Sequence, residues 1–368
     1  MNRVAILLST YNGERFIHEL LESLAGQTYQ EFDLIIRDDG SSDRTLEIVD
    51  DFIKQNRINI IIIDSNGGHR TPELSLSFSF FKILNYANDI LHYSYFLFCD
   101  QDDVWHKNKV ERMVDAIKSE EIRRPDFPIL VHSDLRLVDS NGNHMCSSFW
   151  KWQHINPLRN STSRLLIQNT VTGCATIINR SLSEKLKMSP NLYYHDYRAA
   201  LVASLIGVVV PLHEQLIDYR QHGDNVSGAG VKNTGVVANT IYILLRLLHM
   251  LFNRLGLFFK RGCGVIKSTI TPLKNQDSTF NYKVDQKNKS NTLIDRMEKI
   301  ENIIQYSIIE SEELLSIYGG EMNDQSKEAL VTLATLREKG PLQRKWSLLV
   351  GNFLPNSFYR AIGLLIVV

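Results

Sequence analysis

The stretch YFLFCDQDDVWHKNKVERMV, Tyr95 to Val114, sets an uncharged run against an acidic tip and then a helical pattern. Tyr95 to Cys99 carries no charged side chain, the composition of a strand buried on both faces within a parallel sheet. Three of the next four positions, Asp100, Asp102 and Asp103, are carboxylates. Val110, Met113, Val114 and Ile117 then recur at helical spacing. Strand, charged tip and helix together form one step of an α/β sheet, in which ligands collect beyond the carboxyl ends of the strands.

Toward the N-terminus the same step repeats. RVAILLS, ERFIHELLESLAG, FDLIIRD, RTLEIVDDFIKQ, INIIIID and LSFSFFKILNYANDIL alternate β-rich runs with helical periodicity. Phe16, Leu20, Leu21 and Leu24 share a face of the first helix, which Gly26 closes, and Ser41, Ser42 or Asp43 caps the second. This order predicts a mostly parallel sheet with helices on both sides. Each strand is followed by a polar loop: STYNGE (Ser9 to Glu14), DDGSSD (Asp38 to Asp43) and DSNGGH (Asp64 to His69). From about residue 129 to 222 the pattern shifts to mixed strands, and GDNVSGAG, Gly223 to Gly230, ends it.

Lysine plus arginine (41) equals aspartate plus glutamate (41), so no global field points to nucleic acid. The four cysteines are scattered without a CxxC pair, which argues against a zinc site and a disulfide framework and for a reducing compartment. VAILLS is too short for an export signal, so a cytoplasmic protein is expected. No GxxxxGK[ST] or GxGxxG occurs, which excludes P-loop and dinucleotide readings.

Downstream, Val236 to Gly262 is apolar but carries Arg246, His249, Asn253 and Arg254 as a polar stripe. That is the pattern of an interfacial helix on the inner face of a membrane, or of a helix packed on the catalytic domain or on another subunit of a homo-oligomer. Both stay open. Residues 274–292 read as a linker, 293–336 as helical, and the apolar end after Arg360 is too short to span a bilayer. The expected organisation is 1–225 catalytic, 226–292 amphipathic helix and linker, and 293–368 helical.

Two neighbouring carboxylates on a strand end repel unless a cation lies between them, and Mg²⁺ or Mn²⁺, which keeps open positions for phosphate, suits an oxygen donor set. The competing account makes Asp102 or Asp103 a cap of the following helix, but three acids exceed that need. Tyr11 can cover a nucleobase, and a carboxylate of DDGSSD can accept the imide N–H of uracil or thymine; singly, each also reads as ordinary loop structure.

LLSTYNGERFIHELLESLAGQTYQEFDLIIRDDGSSDRT, FLFCDQDDVWHKNKVERM and YYHDYRAALVASLIG resemble the inverting family 2 glycosyltransferases, within them the bacterial rhamnosyltransferase-like branch, over residues 1–225. The resemblance implies the GT-A fold, a Rossmann-like α/β domain, here with a helical C-terminal extension. It implies that Thr10, Tyr11, Asn12 and Glu14 hold the nucleotide and that Asp39, with Asp38 beside it, contacts the base. Asp100-Gln101-Asp102 matches the DXD motif, its first aspartate on the ribose side and its last on the metal. Asp196 would be the general base, although on its own it reads as a helix cap. His222 is a further metal candidate, with a structural histidine as the alternative. Arg220 could pair with phosphate, His132, Ser133 and Asp134 could frame the sugar pocket, and Trp150 and Trp152 could stack on an acceptor sugar, while His195 reads as a neighbour only. Relatives usually open the third helix with asparagine; Ser77 and Ser79 stand there instead.

The implied reaction moves a sugar, rhamnose by the branch resemblance, from a dTDP- or UDP-sugar to a hydroxyl of a glycan or lipid-linked polysaccharide precursor. A nucleotidyltransferase and a non-catalytic nucleotide-sugar or glycan-binding scaffold are the alternatives.

Overall fold

A computed structural model describes residues 3–55, 57–63, 76–89, 93–153, 155–165, 169–186, 194–223, 312–322, 327 and 331. The 64–69 loop, the side chain of Ser77, the 236–262 segment, the 274–292 linker and the C-terminal tail lie outside the described residues. In chain order the elements are β1 (Val4–Thr10), α1 (Ile17–Ala25), β2 (Phe32–Asp38), α2 (Thr45–Lys54), β3 (Asn59–Ile63) and α3 (Leu76–Asp89). Then come β4 (Tyr95–Cys99), β5 (Val104–Trp105), α4 (Lys109–Arg123), β6 (Ile129–Val138), β7 (His144–Cys146), α5 (Phe149–Trp152) and α6 (Thr162–Leu165). After a 3₁₀ turn, Gly173–Ala175, follow β8 (Thr176–Asn179), α7 (Arg180–Lys185), α8 (His195–Ile206) and β9 (Val208–Arg220).

The strands pair in the order β3-β2-β1-β4-β8-β6-β9-β5, with β7 on β6. From β3 to β4 the pairing is parallel, and β1, β2 and β4 are buried throughout, β1 and β4 as uncharged runs and β2 with its Asp33 paired to Arg3 and its Arg37 to Asp39. The other half is mixed, because β8 runs against both β4 and β6 while β9 runs with β6 and against β5.

Register fixes which loops meet. Thr10 pairs Asp38 across β1 and β2, and Leu8 pairs Cys99 across β1 and β4, so three loops emerge at one edge. Since β8 is reversed, the turn that precedes it comes out at the same edge.

The helices cover both faces through the spacings visible in sequence. Ile17, Leu20, Leu21 and Leu24 of α1 are fully buried, each worth about 1.5–3 kcal/mol of transfer free energy. Phe16, expected on that face, is instead the N-cap residue of α1. None of the three candidate caps is the N-cap residue of α2, which is Arg44; Asp43 precedes it, its Oδ1 accepting the Thr45 N–H at 3.0 Å.

The described part of the C-terminal region docks on this domain. Residues 312–318 are helical, and Leu314 and Tyr318 join the buried cluster that α7 and α8 help to build. Tyr318 Oη donates to the Lys185 carbonyl at 2.5 Å, and the fully buried Arg198 donates through Nη2 to Glu313 Oε1 at 3.1 Å. A hydrogen bond to a charged group is worth about 1.5–3 kcal/mol, so Glu313→Gln is expected to lower unfolding free energy by about 1–3 kcal/mol. Urea denaturation of the full chain checks this, with the midpoint moving down and the slope unchanged.

Candidate active site

The acidic tip does not cap a helix. After Asp103 the chain enters β5, and α4 begins only at Lys109 with Asn108 as its N-cap residue. The carboxylates are bound elsewhere. Asp103 is buried, its Oδ1 accepting the Arg220 N–H at 3.0 Å, and burial pushes its carboxyl well up. Asp102 places Oδ2 2.7 Å from His222 Nε2, and the imidazole lies against the ring of Phe16 with centroids 4.8 Å apart. Asp100 is raised by burial and by the charges of Asp102 and Asp196. Its carboxylate lies within 4.8 Å of Cys174 Sγ, and Asp196 accepts the N–H of the preceding Gly173, so the tip after β4 and the start of α8 meet at the 173–175 turn.

Asp196 lies in the first turn of α8, whose N-cap residue is Tyr194. Its Oδ2 accepts the Gly173 N–H at 2.9 Å and its Oδ1 the Tyr197 N–H at 2.7 Å, yet burial outweighs both and lifts the carboxyl to about 6. Gly173 opens the 3₁₀ turn, where a Cβ would meet His195 Nε2 at 2.8 Å. Beneath the tip the buried Lys109 donates to the Cys174 carbonyl at 2.5 Å, and burial lowers its amine to about 8.

Lys109 and the 173–175 turn were missed as site residues in sequence. The first sits inside an ordinary helix start, and the second reads as part of a strand. Only the reversed β8 brings the turn to Asp196.

The nucleotide loops lock onto each other. Asn12, at φ 47, accepts the Ser42 N–H through Oδ1 at 2.8 Å, and its N–H donates to Ser41 Oγ. Glu14 receives the Arg44 N–H at 2.9 Å, and its own N–H goes to Asp43. Asp38 accepts from Thr10 Oγ1 and from the Gly40 and Ser41 N–H groups, while Asp39 pairs with Arg37 and accepts from Ser79 Oγ at 2.7 Å. Both carboxylates are thus engaged within the protein, Asp38 by β1 and its own loop and Asp39 by β2 and α3. Tyr11 is 37% exposed. Ser79, which the sequence left without a role, seats Asp39.

Other expectations resolve toward structure. Arg220 does not await phosphate: Nη2 donates to Glu19 Oε2 at 2.5 Å, Nε to the Asp102 carbonyl at 2.8 Å, and the guanidinium lies over Phe16. It pins the tip instead. A planar fork is needed for these contacts, so Arg220→Lys is expected to lower unfolding free energy by about 2–3 kcal/mol, read by urea denaturation. His132 is fully buried beside Trp150 and lowered to about 3, and Asp134 accepts the Trp150 N–H, so these residues build the core around α5. Trp152 packs on that core while partly buried. His195 stacks on Phe80 at 3.8 Å, as a neighbour would.

The residues at the tip suit a hard cation. Asp100, Asp102 and His222 offer oxygen and imidazole donors, and a cation would relieve the repulsion that now raises Asp100. Among the described residues the trio whose ligand atoms all lie within 4.8 Å of one another is a deeper one, Asp100, Asp103 and Cys174, but Asp103 and Cys174 are sealed at 1% and 0% exposure. Among the described residues no helix is long and apolar enough to cross a membrane.

A sequence profile described as glycosyl transferase family 2 matches residues 5–187. An uncharacterized glycosyltransferase of Haemophilus influenzae is 26% identical over 233 residues, 61% of this chain and 67% of that protein. The dTDP-rhamnosyl transferase RfbG of Shigella flexneri is 33% identical over 113 residues, 30% of this chain and 36% of that one. Among solved structures, S. aureus TarS 1–349 aligns at TM-score 0.48 with 18% identity, covering 96% of this chain and 93% of that chain.

Proposed function

Because this chain belongs to glycosyl transferase family 2, enzymes that take sugar from nucleotide-sugar donors, we propose that it catalyses an inverting, metal-dependent transfer to a hydroxyl of a cell-surface glycan precursor. The observation that carries this reading is that the acidic tip after β4 and Asp196 at the start of α8 meet at the 173–175 turn, where Asp196 takes the Gly173 N–H and Asp100 lies within 4.8 Å of Cys174, with Asp196 raised to about 6. A carboxyl at that value is ionised at neutral pH yet basic enough to take a proton.

Asp196 receives the acceptor hydroxyl proton as the acceptor oxygen bonds to the anomeric carbon. On the opposite face the bond from that carbon to the phosphate oxygen breaks, and the nucleoside diphosphate leaves with the electron pair. Mg²⁺ or Mn²⁺ held by Asp102, with Asp100 and His222 beside it, would supply positive charge for the departing diphosphate. Tyr11 covers the base, while Thr10, Asn12, Glu14, Asp38 and Asp39 hold the two loops that frame it. Gln101 joins this group through Tyr11. The donor is dTDP-rhamnose in this reading, supported by the sequence likeness to RfbG, with UDP-sugars as the comparison.

A donor screen on the full chain tests it. Purified protein with dTDP-rhamnose, UDP-sugars or GDP-sugars is assayed for donor consumption with Mn²⁺, with Mg²⁺ or with chelator. Metal-dependent turnover of one donor class, with dTDP-rhamnose fastest, is the expected result. Binding without turnover of any donor would turn the reading to a non-catalytic binder.

A further inference from the structure

Gln101 stands between Asp100 and Asp102 of the tip, and both ends of its amide are engaged by one distant residue. The Tyr11 N–H donates to Gln101 Oε1 at 2.9 Å, and Gln101 Nε2 donates back to the Tyr11 carbonyl at 3.0 Å. The pair closes a bridge between the loop after β1 and the loop after β4. Gly13 is shaped to this bridge, since a Cβ there would lie 2.5 Å from Gln101 Oε1. The adjacent Asn12 holds φ 47, so the loop takes a backbone form that few alternative contacts would select.

We infer that Gln101 is a positioning residue, a latch that ties the tyrosine loop to the metal tip, so that a cation at Asp102 raises affinity for the nucleobase. This rests on the function proposed above. A cation that orders the backbone of residues 100–102 also fixes the amide of Gln101, and the amide fixes both backbone polar groups of Tyr11. The ring that would cover the base is then set before the base arrives. Coupling of this kind is reciprocal: a bound base favours cation binding by the same factor. Two neutral hydrogen bonds limit the factor to about tenfold.

Nucleosides provide the test, because without phosphates they do not meet the cation directly. Uridine, thymidine and guanosine, each beside its diphosphate, are titrated into the full chain with and without Mg²⁺. For the nucleoside that binds, Mg²⁺ is expected to tighten wild-type affinity by about five- to tenfold, and to have no effect in Gln101→Ala. The matching diphosphate stays Mg²⁺-dependent in Gln101→Ala, since its phosphates still reach the ion, and loses that dependence in Asp102→Ala. Gly13→Ala weakens nucleoside binding. Gln101→Ala removes the atom that the new methyl strikes, so the double variant binds no worse than Gln101→Ala alone.

An Mg²⁺ effect on nucleoside binding that persists in Gln101→Ala overturns the latch, as does a Gly13→Ala penalty undiminished in the double variant. A wild-type protein whose diphosphate binding responds to Mg²⁺ while its nucleoside binding does not also overturns it, and leaves the proposed function standing. Failure of every nucleoside and diphosphate to bind removes the proposed function and the latch together.

Discussion

Asp196→Asn retains nucleoside-diphosphate binding and loses sugar transfer by on the order of 10²- to 10⁴-fold. The amide keeps an oxygen that can accept the Gly173 or Tyr197 N–H, so the first turn of α8 stays seated. What disappears is the ability to take a proton. Single-turnover assays at saturating donor separate the two, with unchanged donor affinity and a collapsed rate as the expected pattern. Transfer at the wild-type rate would move the base elsewhere.

The wild-type enzyme should carry the signature of that group in its pH profile. Burial raises the Asp196 carboxyl from 3.8 to about 6, so the basic form dominates at neutral pH and is lost on acidification. The rate is expected to fall about tenfold per pH unit below about 6. The stability contribution has the opposite direction. A carboxyl raised by folding favours the folded state when protonated, so its contribution is complete below 3.8 and is lost as pH rises through about 6. Neutral pH therefore favours activity at some expense of stability, an arrangement suited to a working base rather than to a structural cap.

Asp102→Ala is the second large effect. It is expected to abolish the metal dependence of nucleoside-diphosphate binding and to reduce transfer by several orders of magnitude, because the proposed site assigns the cation to the carboxylate that faces His222. Arg220 grips the Asp102 backbone carbonyl, so that contact survives the substitution. Titration calorimetry with and without Mn²⁺ checks it. Affinity that still rises with Mn²⁺ in the variant would place the ion on other ligands.

The parallel half of the sheet was legible because β1 and β4 are uncharged runs, β2 holds the apolar Leu34 to Ile36, and the helices bury visible stripes, as in Leu20, Leu21 and Leu24. The loops that meet at its edge follow from that topology. Long-range pairing was not legible. Nothing local in VTGCATI announces that β8 runs against β4 and so carries Gly173 to Asp196. Arg220 offered a cation, but only the fold showed that Glu19, more than two hundred residues away, takes it. Trp150 and His132 were expected at the sugars, and burial against one another places them in the core.

Helical residues 312–318 make the sugar-transfer module discontinuous along the gene. An N-terminal fragment cut after β9 would keep each loop of the proposed site and yet strip Leu314 and Tyr318 from the hydrophobic cluster they share with α7 and α8. Portability between chains, whether by recombination or by cloning, therefore requires both pieces to travel together.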